Sequence, residues 1–233
     1  MNNNMNQISD YYFMFFILII NFLTFSFLKI DDKLFGKINV NVMRSIICGA
    51  LAHKSYTDFK EIWNDKCLTN EQTLENFKSF HYSFFNYFVF DLIIMIYQVY
   101  KKILNELRID LLVHHILAIN VLLLIENQKM YSLSMLIGLS EGMSLVSGFK
   151  LISNHYGNKY VTNLFIFYRL IYLIFVRMLF LWPSLIYLYN DITLNCDEFK
   201  KNRNFSMVFI FLSMIVYNEL KWIQSGKKEL MKI

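Results

Sequence analysis

Two adjacent histidines, His114 and His115, lie inside an otherwise apolar run, RIDLLVHHILAINVLLLIEN, spanning Arg108 to Asn127. The run is about the length a helix needs to cross a bilayer. An imidazole can hold or pass a proton near neutral pH, and in hydrocarbon it is costly. Both rings must therefore face other helices or a wet cavity. Neighbouring apolar segments carry Asp91, Glu141, Arg169 and Arg177. At ~1.5 Å rise per residue, Asp91, His114, His115, Glu141 and Arg169 fall ~10–15 Å below one surface, on four helices. Arg177 lies about two turns deeper on nearly the same face as Arg169. Matching depth predicts a shared polar site, with His114 and His115 as candidate catalytic groups and Asp91, Glu141, Arg169 and Arg177 as substrate-binding groups. A plainer reading stands beside it. Asp91 would pair with Arg169 or Arg177 merely to hold helices together, and Asp110 would meet His114 four residues on.

The elements that must position these groups are helices in a membrane. The 233 residues are 56% hydrophobic and 18% aromatic, with one proline and seven glycines, too apolar for a soluble domain of this size. The apolar runs are continuous rather than alternating, which excludes an outer-membrane barrel. Lysines at the ends of spans account for the net charge of +5, so nucleic acid is not an expected partner. Membrane lipids are, and a homo- or hetero-oligomer in the membrane is compatible with the composition.

Seven spans are expected. Residues 1–10 lack a basic stretch, so Tyr11 to Ile30 reads as a retained first span rather than a signal peptide. Val40 to Lys54 is a weak second span, short in apolar core and interrupted by Arg44 and His53. Residues 54–79 read as a solvated loop, with at most a short amphipathic helix. Phe80–Tyr100, the histidine span, Met130–Ile152, Val161–Tyr189 and Phe205–Ile223 complete the set, with a charged loop from Asp191 to Arg203. In Met130–Ile152, the residues Ser134, Gly138, Glu141, Ser144 and Gly148 fall within ~120° of a helical wheel, a small-residue stripe that faces protein.

With a cytosolic carboxyl end, that side holds Lys29, Lys33, Lys37, Lys101, Lys102, Arg108, Lys150, Lys159, Lys221, Lys227, Lys228 and Lys232. The other side holds Lys54, Lys60, Lys66, Lys78, Lys129, Lys200, Lys201 and Arg203. Twelve against eight favours a non-cytosolic amino terminus. Asn204-Phe205-Ser206 forms a glycosylation sequon that abuts the membrane. Of three cysteines, Cys48 reads as a small buried residue. Cys67 and Cys196 fall in loops on the same non-cytosolic side, which predicts a disulfide in an oxidising compartment. There is no CxxC and no zinc spacing, so neither metal nor cofactor is expected.

Four stretches in order resemble the TLC-domain family, which includes ceramide synthases and translocating-chain-associated proteins. They are YFVFDLI (Tyr87–Ile93), DLLVHHILAI (Asp110–Ile119), GLSEGMS (Gly138–Ser144) and FVRMLFLWPSLIY (Phe175–Tyr187). The resemblance covers roughly residues 38–228, leaving 1–37 as an amino-terminal segment with the first span and 229–233 as a cytosolic tail. It implies an all-α polytopic membrane protein of about seven helices, six of them ringing a polar cavity, with the amino terminus non-cytosolic. The acidic pattern that ceramide synthases carry after the double histidine is missing. Here that stretch reads SLSMLIGLSEGMS, with only Glu141 acidic. Cys48 stands where several members have a histidine. The chain is more similar to the small TLC-domain proteins of the transmembrane-protein-56 kind.

The expected function is that of a multi-pass protein of the endoplasmic reticulum or another endomembrane, acting in lipid homeostasis and binding a lipid head group among these buried polar groups. An alternative is acyl transfer from acyl-coenzyme A, used as substrate, to a lipid amine or hydroxyl. One histidine would then be a general base or transient acyl carrier, oriented by Asp91 or Glu141. A third is a cargo or translocon-associated factor that recognises other spans.

Overall fold

The structure is a computed structural model that describes residues 32–100, 109–196, 213, 217 and 219–231. The expected first span, the sequon and most of the last span lie outside these residues. Every regular element among the described residues is helical: α1 (Asp32–Thr57), α2 (Phe59–Asn64), α3 (Glu71–Tyr100), α4 (Ile109–Gln128), α5 (Tyr131–Gly138), a 3-10 turn (Leu139–Glu141), α6 (Gly142–His155), α7 (Lys159–Ile171), a π-helical stretch (Tyr172–Leu181), α8 (Trp182–Asn195) and α9 (Leu220–Leu230). Four stretches, Glu71–Tyr97, Ile109–Gln128, Tyr131–Asn154 and Lys159–Asn195, are long and apolar enough to cross a membrane, as an integral membrane protein requires.

Two expected loops are shorter than the sequence reading allowed. Helix α3 begins at Glu71, not near Phe80, because the Asn70 side chain accepts from the Gln72 and Thr73 amides at 2.9 and 3.2 Å and caps it. Its polar first turns ride on an exposed face while Thr73 and Phe77 are buried. At the far end α8 continues through Asp191 to Asn195, so Asp191 is helical rather than part of a loop.

The buried stripes explain how the helices meet. In α3 they are Phe77, Phe80, His81, Phe84, Tyr87, Phe88, Asp91 and Met95, and in α4 His114, His115, Ala118, Val121, Leu122, Ile125 and Gln128. Both follow the three- and four-residue spacing of one helix face, and both carry polar groups on that face. Every residue of α5 is buried, which makes it the central helix. Of the small-residue stripe, Gly138 packs closely while Glu141, Ser144 and Gly148 line a cavity. Gly49 of α1 lies against Leu145, and Gly138 lies against Ser55 of α1 and Phe80 of α3. In lipid there is little hydrophobic drive between helices, so such close approach and its dispersion contacts must hold them together.

Helix ends reinforce the layout. Lys129 and Gly157 both take positive φ and close α4 and α6 with paired amide-to-carbonyl bonds, from Lys129 and Met130 and from Gly157 and Asn158. Asn158 then caps α7 by accepting from the Val161 amide at 3.1 Å. At the end of the bundle holding the Lys129 turn, Cys67 and Cys196 form a disulfide with 5.5 Å between Cα atoms. The neighbouring Lys66 ammonium pairs with Asp191, so α8 is tied twice to the segment after α2.

Candidate functional site

The α3 stripe delivers Asp91, 4% exposed, to the centre of the site. Its two oxygens accept from different helices: Arg44 Nε of α1 at 2.7 Å, and His115 Nε2 of α4 at 2.6 Å. The partner is therefore Arg44, not Arg169 or Arg177. The residue that made the second span look weak is the one that completes this buried pair. His115 Nδ1 sits 2.8 Å from the Leu111 carbonyl, which can only accept. With both ring nitrogens facing oxygen acceptors, His115 is held as a bridge and has none left to offer a substrate. His114 differs. Its ring meets the edges of Phe88, His115 and Trp222 at centroid distances of 5.8, 5.6 and 5.1 Å, and it lines a cavity.

Beside this lies a second ion pair, between Arg177 Nη2 and Glu219 Oε1 at 2.6 Å, with both side chains almost wholly buried. The backbone departs from α geometry at its members and around Glu141. Glu141 ends the 3-10 turn, Arg177 lies in the π-helical stretch, and Glu219 is also in π geometry. The first two irregular stretches support one another. The Tyr172 hydroxyl donates to the Leu139 carbonyl, and Arg177 Nη1 approaches the Ser140 carbonyl at 3.5 Å. Irregular backbone at membrane depth survives only where protein or a cavity surrounds it, and π-helical turns concentrate at functional sites.

The cavity has a volume of about 550 Å³. His114, Glu141 and Arg177 form its floor, Tyr87, Phe88, Ser144, Ser147 and Trp222 line its walls, and Lys150, Arg169 and Glu229 line its outer end. At that end Glu229 of α9 pairs with Lys150 at 2.5 Å and approaches Arg169 at 3.7 Å. Trp222, also of α9, donates to Asp110 at 3.4 Å and lies 5.3 Å from the Arg177 guanidinium. Asp110 thus meets Trp222 as well as being one turn from His114.

The structure brings His114, Glu141 and Arg177 to the floor, keeps Asp91 behind the lining residue His115, and sets Arg169 apart at the mouth. Equal depth for Arg169 fails for a geometric reason. Helices α6 and α7 run antiparallel, level at Ser153 with Thr162 and at Phe149 with Phe165. Side chains lean toward the amino end of their helix. Arg169 therefore leans outward toward Glu229, while Arg177 reaches up to Ser140 and Met143. Arg44 and Glu219 were not among the expected site residues. A lone acid in the apolar run MIVYNEL was the available signal for Glu219.

A separate polar cluster imitates a catalytic triad. Ser134 Oγ lies 2.6 Å from His81 Nδ1, and His81 Nε2 lies 3.4 Å from Glu126, which also accepts from the Tyr82 hydroxyl at 2.9 Å. Ser134 has no exposed surface and His81 1%, so no substrate can reach the hydroxyl. The cluster ties α3, α4 and α5 together. Among the described residues no group of three His, Cys, Asp or Glu side chains is placed to hold a metal ion.

Compared with protein-family models, curated proteins and solved structures, the chain matches none.

Proposed function

We propose that this is a multi-pass endomembrane protein of lipid homeostasis, whose cavity holds the head group of a membrane lipid. The observation that carries this reading is a cavity of about 550 Å³ with charged groups at both ends, inside a bundle whose long helices are apolar enough to cross a membrane. Polar groups at such depth mark ligand paths by default. The resemblance to the TLC-domain family supports the same reading. It adds the full architecture, seven spans with six in a ring around the cavity, and a setting in the endoplasmic reticulum or a related membrane.

The chemistry of the two ends supports one orientation. A disulfide needs an oxidising compartment, so the Cys67–Cys196 end is assigned to the non-cytosolic side. The stretch Lys159–Asn195 runs from the cavity end to the disulfide end. The cavity mouth at Lys150, Arg169 and Glu229 then opens to the cytosol or the cytosolic leaflet, and α9 lies there with Lys227 and Lys228 in its last turn. The amino terminus is non-cytosolic in this arrangement.

Acyl transfer from acyl-coenzyme A is the second reading, and one observation favours it. His114 lines the cavity floor while its neighbour is anchored by Asp91. On that reading His114, not His115, would be the general base. Filling the cavity separates lipid binding from mere helix packing. Ser147→Phe places a ring in the cavity without removing any buried charge. The purified variant is expected to unfold near the wild-type temperature and to lose its co-purifying lipid. Retention of wild-type lipid by a folded Ser147→Phe protein contradicts the head-group reading. Loss of a defined acylated lipid from cells carrying His114→Ala at matched expression, with head-group binding intact, moves the transferase reading ahead.

A further inference from the structure

Among the described residues three carboxylates are buried at or behind the cavity floor, and two of them are matched by cations. Asp91 accepts from Arg44 and His115, and Glu219 pairs with Arg177. Glu141 is different. It is 4% exposed and lines the cavity. Its oxygens meet only neutral donors, the Cys48 thiol at 3.4 Å and the Ser140 hydroxyl at 3.3 Å. The Ser140 contact is longer than an ordinary hydroxyl-to-carboxylate bond, and a thiol is a weak donor. Among the described residues, no Lys, Arg or His nitrogen lies within the 4.0 Å of an ion pair with it. A carboxylate this buried without a countercharge is costly. The fold nevertheless places it there, at the end of a 3-10 turn whose geometry is fixed by Tyr172 and Arg177.

We infer that the missing countercharge comes from the ligand: the cavity takes a molecule with an ammonium group, seated against Glu141. The surroundings fit a cation. Tyr87 and Phe88 line the walls beside it, and aromatic rings attract ammonium groups. Ser144 and Ser147 on the adjoining helix wall offer hydroxyl acceptors. Arg177 and Arg44, cations that line the same cavity, pair with Glu219 and Asp91. The inference rests on the head-group reading of the cavity, although an ammonium carried on a lipid and one on a soluble amine would meet Glu141 alike.

The test uses the full chain in nanodiscs. Dioleoyl phosphatidylethanolamine is competed against its N-acetyl derivative, which keeps the phosphate and acyl chains but has no ammonium, and bound lipid is read by native mass spectrometry. Wild type is expected to prefer the ammonium lipid by roughly tenfold or more, the worth of one charge-assisted hydrogen bond. Glu141→Gln should bind both lipids about equally. A wild type without preference overturns the inference and leaves head-group binding standing, and this arm does not depend on the variant folding. A Glu141→Gln protein that keeps the preference also overturns it. If wild type retains neither lipid, the head-group reading fails, and calorimetry with ethanolamine decides the inference alone. Binding to wild type but not to Glu141→Gln sustains it for a soluble ligand, and no binding to wild type ends it.

Discussion

The two ends of the bundle solve different problems with the same kinds of residue. At the disulfide end Ile62, Leu133, Leu188 and Ile192 are fully buried. The Lys66–Asp191 pair and the Cys67–Cys196 bond lie beside this core, and the Lys66 carbonyl accepts from Ser132 at 3.1 Å. At the cavity end charges are buried, the backbone leaves α geometry, and space remains. Even the histidines follow the division. His81 ties three helices together in a closed cluster, whereas His114 faces a cavity. One end is closely packed, and the other keeps buried charges beside open space.

The largest expected effect comes from breaking the buried Arg177–Glu219 pair. Glu219→Leu alone should destabilise the protein by about 3–5 kcal/mol in unfolding from detergent, because it strands a buried guanidinium. Arg177→Met combined with Glu219→Leu should recover most of that loss, and a double variant as unstable as the single would remove the ion pair from the account. Next is the disulfide end. Cys67→Ala should cost about 2–4 kcal/mol, and reductant should reproduce the loss in wild type. A gel shift on reduction should survive Cys48→Ala and vanish with Cys67→Ala, and the absence of any shift would take away the cross-link and the orientation drawn from it.

Smaller still is the packing seam that joins the ends. Gly138→Val must push a Cβ into Ser55 and Phe80, at about 1–3 kcal/mol, without changing which lipid binds. At the exposed Lys54–Asp58 pair, Lys54→Ala should change stability by no more than about 0.5 kcal/mol, and a larger loss would show that this rim belongs to the packed end.

Much of this contrast was legible in the residues. The length of the apolar run placed the end of α4 within a residue of Gln128, and the rarity of charge in apolar runs pointed to Asp91, His114, His115, Glu141 and Arg169, with Arg177 set deeper. Pairing was not legible. Arg44 read as a defect in a marginal span because hydropathy scores a residue without its partner, and its partner lies 47 positions away. Glu219 was hidden in the same way. Depth counted along the chain misplaced Arg169, since a long side chain leans by the direction of its helix and not by its Cα level. Polarity alone read the first turns of α3 as loop, where the Asn70 cap and the Thr73–Phe77 spacing decide for helix.

The central claim is that a lipid head group sits inside the bundle, and photo-crosslinking tests it most directly. A phospholipid with a photoreactive group on its head would be incorporated into membranes containing the protein, and the crosslinked peptides mapped by mass spectrometry. The account predicts attachment within Ser144–Lys150 and around Trp222, abolished by Ser147→Phe. Attachment confined to outward-facing residues such as Ile93 and Ile96, unchanged by that substitution, would contradict it.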